Sequence, residues 1–201
     1  MSEQVRKLLK AKRGQDSDSP RDIYPTSQYP KDLSKFINKK KYSDIKLVIQ
    51  RRHVIRAHKI ILAKCEFFDA MFSSNMKEKN HKVFFIDDVS FPIMVQLIKF
   101  LYTDGCDVTL DNVMNLFKAA DIYGIKKLKY ICEQTLINNI CIENAANTFS
   151  EADRHYTDRL RDVSLKYILQ NFDPVTKTQG FENLVRHHPD LVIEVLRNRK
   201  I

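Results

Sequence analysis

The sequence is poor in the features that support catalysis or metal binding. Its 201 residues include only four glycines, and no glycine-rich loop of the kind that cradles a nucleotide phosphate is present. The four cysteines, Cys65, Cys106, Cys132 and Cys141, form no CxxC pair, and the histidines do not combine with them at zinc-ligand spacing. We therefore expect no enzyme activity, no cofactor and no metal ion, and we expect reduced thiols near the core.

Long apolar runs are also missing. No stretch approaches the roughly 20 apolar residues that cross a bilayer. Charged residues occupy the N-terminal positions where a signal peptide has its apolar region. The sequence therefore favours a protein that neither spans a membrane nor is secreted, with a cytoplasmic or nuclear location.

The composition is typical of a folded chain, with 43% hydrophobic and 29% charged residues. The net charge of +9 raises the question of nucleic acid, because basic surfaces gain affinity for phosphates by releasing counterions. The basic residues are, however, scattered and interleaved with acids. We interpret them as a solvated surface, which disfavours nucleic acid as a partner.

Residues 1–31 differ from the rest of the chain. A basic segment at 5–13 is followed by a polar stretch that contains three prolines, Pro20, Pro25 and Pro30. Too few apolar side chains are present to offset the entropy lost on ordering. We expect a flexible basic arm here, and a partner-binding or nuclear-targeting arm is the alternative.

From Asp32 onward the apolar residues recur with the periods of regular structure. Leu33, Phe36 and Ile37 mark one face of a helix that Asp32 would cap. The β-branched runs 45–49 and 53–56 predict a hairpin, with a wide loop because no glycine or asparagine stands in the turn. A helix over 60–72, a third strand over 82–87 and a series of helices follow.

This order of elements excludes a doubly wound fold, in which strands alternate regularly with crossover helices. It predicts an α+β domain with a small, mainly three-stranded sheet covered by a helical cluster. After about residue 139 every apolar period is helical, so an all-α extension should follow.

These residues resemble a known family, the BTB (POZ) domain with a BACK-like helical extension. The BTB likeness is carried by 42–45 (YSDI), 56–63 (RAHKIILA), 68–72 (FDAMF), 100–103 (FLYT), 119–123 (AADIY), 128–129 (LK) and 132–133 (CE). The segments 142–146 (IENAA) and 188–191 (HPDL) are similar to the extension of speckle-type MATH-BTB and armadillo-BTB adaptors, although no MATH or armadillo module is present. The resemblance divides the chain into an arm at 1–31, a BTB domain at 32–138 and a BACK-like extension at 139–201.

The resemblance implies a homodimer, or a pair with another BTB protein. Its interface would use the helix of Leu33, Phe36 and Ile37, together with Asp44 and Lys59, which in the family lie partly buried near the dimer contact. Asp44 capping a strand and a solvated Lys59 are the alternative.

The resemblance also implies a binding site for a partner protein. Cullin-binding members of the family carry a hydrophobic residue, any residue and a glutamate after the long helix, and here Met76 and Glu78 occupy those positions. The leading hypothesis is a non-catalytic adaptor that binds a cullin-3 scaffold and helps recruit an unknown client for ubiquitination. A transcriptional or chromatin regulator, or an oligomerising decoy that pairs with other BTB proteins, is the alternative.

Overall fold

The computed structural model of the protein describes residues 31–73 and 82–199. These residues form two compact units that alternate along the chain. The first unit holds the chain up to Asp107 together with Ala119–Lys129, and the second holds Val108–Lys118 together with the chain from Tyr130 onward. Residues 1–30 of the predicted arm and the two predicted cullin-contact residues, Met76 and Glu78, lie outside the described residues, whereas Lys31 begins the first helix.

The first unit is built on a three-stranded sheet. Its strands are β1 (Ile45–Ile49), β2 (His53–Ala57) and β3 (Val83–Ile86), in the order β2-β1-β3. Strand β1 pairs antiparallel with β2 and parallel with β3. Because side chains alternate between the two faces of a strand, Ile45, Leu47 and Ile49 all face the core and are at most 3% exposed.

The hairpin loop contains a primed β-turn. Gln50 and Arg51 both have positive φ values, 49° and 56°, and the Arg52 amide donates to the Ile49 carbonyl at 3.1 Å. The ladder pairs Ile49 with His53, so residues 50–52 form the loop, one residue more than in a two-residue primed hairpin. The loop is therefore wider than the tightest primed turn, as the sequence predicted, although two of its residues adopt the left-handed backbone that glycine or asparagine favours.

The first helix of this unit is a six-residue 3₁₀ helix, Lys31–Phe36. The prediction that Asp32 caps this helix was wrong, because Asp32 lies inside it. The predicted single helix over 60–72 is two helices, α1 (Lys59–Leu62) and α2 (Glu66–Ser73). Between them the Lys64 and Cys65 amides donate three residues back, at 3.2 and 3.0 Å, which tightens the backbone. The single-helix prediction was therefore wrong.

Three further helices match the predicted periods: α3 (Phe91–Thr103), α4 (Val113–Ile122) and α5 (Lys126–Asn138). Ser90 is the N-cap residue of helix α3 and Pro92 lies in its first turn, as predicted. Helix α4 ends before Gly124, whose φ is +69° and where a Cβ would lie 2.7 Å from that of Glu66. Only glycine fits this left-handed position.

The second unit is helical apart from its turns. After segments of α4 and α5 it contains α6 (Ala145–Arg154), α7 (Asp158–Gln170), α8 (Phe172–Val175), α9 (Gln179–His187) and α10 (Pro189–Asn198). The Thr178 hydroxyl caps α9 by accepting a hydrogen bond from the Phe181 amide at 3.2 Å. The core of this unit is formed by Ala145, Ala146, Phe149, Ile168, Val175, Phe181, Leu184, Leu191 and Val195.

Candidate protein-interaction site

An apolar groove of about 190 Å³ opens on the surface of the first unit. Three neighbouring parts of the chain build it: the 3₁₀ helix with the loop after it, the junction from β2 into α1, and the end of α3. The residues that line it are Leu33, Phe36, Tyr42, His58, Ile60, Ile61 and Tyr102.

Aromatic rings organise the groove around Phe36. The Phe36 ring meets Tyr42 edge-on at 6.3 Å and His58 edge-on at 6.2 Å between ring centroids. Edge-to-face contacts of this kind match the positive rim of one ring to the negative face of the next. They hold the half-buried 3₁₀ helix against the entry to α1.

A buried tyrosine supports the groove from below. Tyr102 is 2% exposed, and its hydroxyl accepts a hydrogen bond from the His58 amide at 3.0 Å and lies 2.7 Å from His58 Nδ1. The Tyr102 hydroxyl thus connects both the backbone and the ring of His58 to α3. Burial raises the pKa of Tyr102 to about 12, so the phenol keeps its proton at neutral pH.

The rim of the groove exposes large apolar side chains to water. Ile60 is 80% exposed and Tyr42 is 69% exposed. The short helix α1 that carries Ile60 is fixed at its start by Asp44, whose Oδ1 accepts a hydrogen bond from the Lys59 amide at 2.8 Å. The exposed isoleucine is therefore held in a defined position and does not sit on a loose loop.

The structure brings most of the predicted interface residues to this place. Leu33 and Phe36 line the groove, whereas Ile37 is half-buried and lies outside its lining. Asp44 and Lys59 meet through the carboxylate and the backbone amide, and the Lys59 ammonium lies 5.4 Å from the centroid of the Phe72 ring. The burial of this pair at a dimer contact stays a prediction.

The sequence marked several of the lining residues only as members of the family motifs and did not assign them individually to the interface: Tyr42, His58, Ile60, Ile61 and Tyr102. One signal was available, since the adjacent Ile60 and Ile61 point to different sides of a helix and cannot both face the same core. Tyr102 gave no such signal, because its role depends on a hydrogen bond across 44 residues of sequence.

The four cysteine thiols differ in burial. No disulfide joins the four cysteines; Cys65 and Cys132 are buried, and Cys106 and Cys141 are partly exposed. Burial raises the pKa of the Cys65 thiol to about 12, which suppresses its nucleophilic form. Within residues 31–73 and 82–199, no group of three or more histidine, cysteine or carboxylate side chains could hold a metal ion. In the same residues no helix is long and apolar enough to span a membrane.

Two family models match the chain. The model described as BTB/POZ domain matches residues 33–140, and the model described as BPM/SPOP, BACK domain matches residues 144–196. The match covers the sheet and the helices of the groove as well as the later helices.

Curated relatives share this region and extend well beyond it. The chain is 35% identical over 121 residues to TD and POZ domain-containing protein 2 of Mus musculus, covering 59% of this chain and 33% of the relative. It is 31% identical over 102 residues to Kelch-like protein 23 of Mus musculus, covering 50% and 18%. It is 29% identical over 127 residues to the Arabidopsis thaliana protein named ARM repeat protein interacting with ABF2, covering 62% and 18%. The chain thus spans a third or less of these relatives.

Among solved structures, the BTB domain of zebrafish PATZ1 is similar to this chain, with a TM-score of 0.42 and 24% identity over 47% of this chain and 75% of that one. The three-stranded sheet with its helical cluster and the helices that follow agree with the predicted α+β class. The protein belongs to the BTB/POZ domain family and carries a BPM/SPOP-type BACK domain behind its BTB domain, a combination found in non-catalytic protein-interaction adaptors.

Proposed function

We propose that the protein is a dimeric adaptor that binds a cullin-3 scaffold and helps recruit a client for ubiquitination in the cytoplasm or nucleus. The observation that carries the dimer is the apolar groove with its exposed Ile60 and Tyr42. Exposed apolar patches rimmed by polar residues mark interaction surfaces.

A second copy of the chain is the partner that fits this groove. In a two-fold interface the same patch is used twice, so Ile60 of each copy would enter the aromatic groove of the other. Leu33, Phe36 and Ile37 would lie in the contact, with Asp44 and Lys59 beside it. Burying a side chain of this size contributes about 1.5–3 kcal/mol each time.

Sedimentation equilibrium tests the dimer. Ile60→Asp should convert it to a monomer, because an isolated carboxylate in an apolar contact costs several kcal/mol. Val185→Asp is the matched control, since Val185 is also exposed, at 48%, but lies on α9 in the second unit. A folded wild-type monomer at tens of micromolar would contradict the proposal.

The cullin contact is proposed at Met76 and Glu78. A flexible thioether fills an irregular apolar pocket on a partner, and a glutamate beside it fixes orientation through hydrogen bonds. The family membership supports this placement, because the two residues follow α2 and precede β3 in the chain.

Calorimetric titration with the cullin-3 N-terminal domain tests the contact. Met76→Ala combined with Glu78→Ala should remove the heat of binding and leave the dimer mass unchanged. Ile193→Ala, an exposed apolar residue on α10, is the control variant and should bind as the wild type does. Absence of heat with the wild type at tens of micromolar would contradict the proposed cullin contact and would not bear on the proposed dimer.

We assign these roles to the predicted segments. The BTB domain at 32–138 would hold both the dimer and the cullin contacts, and the BACK-like helices at 139–201 would extend the scaffold-facing surface. The client would be recruited by the basic arm at 1–31 or through a second BTB protein.

A further inference from the structure

A second apolar surface lies on the outer face of the sheet, on the side of β1 that points away from the core. The strand register places Val54 of β2, Val48 of β1 and Phe85 of β3 in one row across the three strands. Val54 is 42% exposed and Phe85 is 61% exposed. None of these three residues lines the groove around Phe36, so the row is a separate surface.

The neighbouring row on the same face is basic. The register aligns Arg56 of β2 with Lys46 of β1 and with Val83 of β3. The carboxylates next to these strands in the chain have other contacts, since Asp44 before β1 accepts from the Lys59 amide and Asp87 after β3 pairs with Arg51 at 3.6 Å. The outer face therefore combines an apolar row with a positive one.

Strand β3 is the edge of this sheet in the part of the chain that the structure describes. The carbonyls of Lys82 and Ile86 accept from the Lys46 and Gln50 amides of the β1 side, both at 2.8 Å. In a parallel ladder alternate residues bond to one neighbour, so the backbone groups of Val83 and Phe85 point to the open side. Natural edge strands are usually blunted by charged side chains, whereas this one presents a valine and a phenylalanine.

We propose that this edge and face bind an extended segment of a partner protein, added to β3 as a fourth strand. Backbone hydrogen bonds to Val83 and Phe85 would supply affinity, and side chains would supply selectivity. The segment should carry an apolar residue beside Phe85 and, two positions away, an aspartate or glutamate beside Val83. Because the Val83 side chain is short, the Lys46 ammonium on the neighbouring strand can attract that carboxylate.

The charge of the face favours this occupant over the alternatives. A second copy of the chain would bring Lys46 and Arg56 against their own counterparts, and like charges across an interface are costly. The basic segment at 5–13 of the same chain meets the same repulsion. A nucleic acid would satisfy the cations but would leave the apolar row of Val54, Val48 and Phe85 uncovered.

Selection of random ten-residue peptides displayed on phage, with the full chain as bait, tests the proposal. We expect enrichment of peptides with an acidic and a large apolar residue two positions apart. Fluorescence anisotropy of a selected peptide should then show binding weakened about tenfold or more by Lys46→Glu and by Phe85→Ser. Val185→Ser on α9 is the matched control and should bind as the wild type does.

Hydrogen exchange provides the readout specific to strand addition. The amides of Val83 and Phe85 should exchange slowly with the peptide bound and fast without it. Selected peptides that bind Lys46→Glu and Phe85→Ser as tightly as the wild type would overturn the proposal, as would displacement by a single-stranded oligonucleotide. Slow exchange of these two amides in the peptide-free protein would also overturn it, because the edge would then be covered by the chain itself. None of these outcomes depends on cullin binding.

Discussion

The hydroxyl of Tyr102 connects two parts of the chain that local sequence does not relate. It accepts the His58 amide hydrogen and bonds to the same residue's imidazole, at 3.0 and 2.7 Å. The His58 amide stands just before α1, at a position where no earlier carbonyl of that helix is available to it. The Tyr102 hydroxyl therefore accepts the hydrogen bond of the amide that precedes α1, and it orients the His58 ring that contacts Phe36.

Tyr102→Phe should lower the free energy of unfolding by about 1–3 kcal/mol, because the partly buried His58 amide would lose its acceptor. Urea denaturation monitored by circular dichroism measures the change. Tyr156→Phe removes a hydroxyl from a side chain that is 85% exposed and should change stability by less than about 0.5 kcal/mol. Equal effects of the two substitutions would show that the Tyr102 hydroxyl does not stabilise the fold.

At the scale of the element, the β1–β2 hairpin holds two non-glycine residues in left-handed conformation. Gln50 and Arg51 have φ values of 49° and 56°. Such backbone costs roughly 1–2 kcal/mol per residue that carries a Cβ. The turn persists because Ile49 and His53 are paired in the ladder and the core face of β1 is buried.

Replacing the turn with Gln50→Asn and Arg51→Gly should raise the free energy of unfolding by about 1 kcal/mol, because asparagine and glycine adopt left-handed backbone at lower cost. The surface ion pair of Arg51 with Asp87 is lost, but both side chains are more than half exposed and the pair contributes little. Thermal unfolding gives the comparison. A decrease in melting temperature would indicate that the turn carries no backbone strain.

Helix α6 holds an ionised group that links it to α4 within the second unit. Glu151 is 12% exposed, its Oε1 lies 2.7 Å from the Lys118 ammonium, and Oε2 lies 3.6 Å from His155 Nε2. Burial raises the pKa of Glu151, but His155, Lys118 and Arg154 together lower it from 4.5 to about 2. The charged form is therefore the one that the fold stabilises.

Since the folded pKa of Glu151 is depressed, its contribution to stability is fully present above about pH 4.5 and is lost as the pH falls towards 2. The loss is at most about 3 kcal/mol. Urea unfolding between pH 6 and about pH 3 should show this decline for the wild type and a shallower one for Glu151→Gln. Identical pH profiles for the two proteins would exclude Glu151 as the source.

At the scale of the whole molecule, the proposed dimer links stability to concentration. If two chains fold and associate together, each tenfold rise in protein concentration stabilises the dimer by about 1.4 kcal/mol. The urea midpoint of the wild type should therefore rise with concentration, and that of Ile60→Asp should not. A wild-type midpoint independent of concentration would mean that folding does not depend on association.

Much of the architecture was predictable because it follows from local periodicity. The β-branched run at 45–49 and the N-cap of α3 at Ser90 stand where the sequence predicted them, and Gly124 follows the end of α4. The family resemblance is confirmed over 33–140 and 144–196. The functions given to Met76 and Glu78 stay predictions.

Tertiary structure decided what local pattern could not express. The parallel pairing of β3 with β1 arises from contacts between residues distant in sequence. The same is true of the site, since Tyr102 reaches the groove only after α3 packs beneath His58. By itself the sequence determined the period at which apolar residues recur, and therefore which elements form and which face of each is apolar, because this pattern and the backbone preferences are local properties of the chain. Only the folded chain decided which apolar side chains remain exposed, because that depends on how much of each face its neighbours can cover.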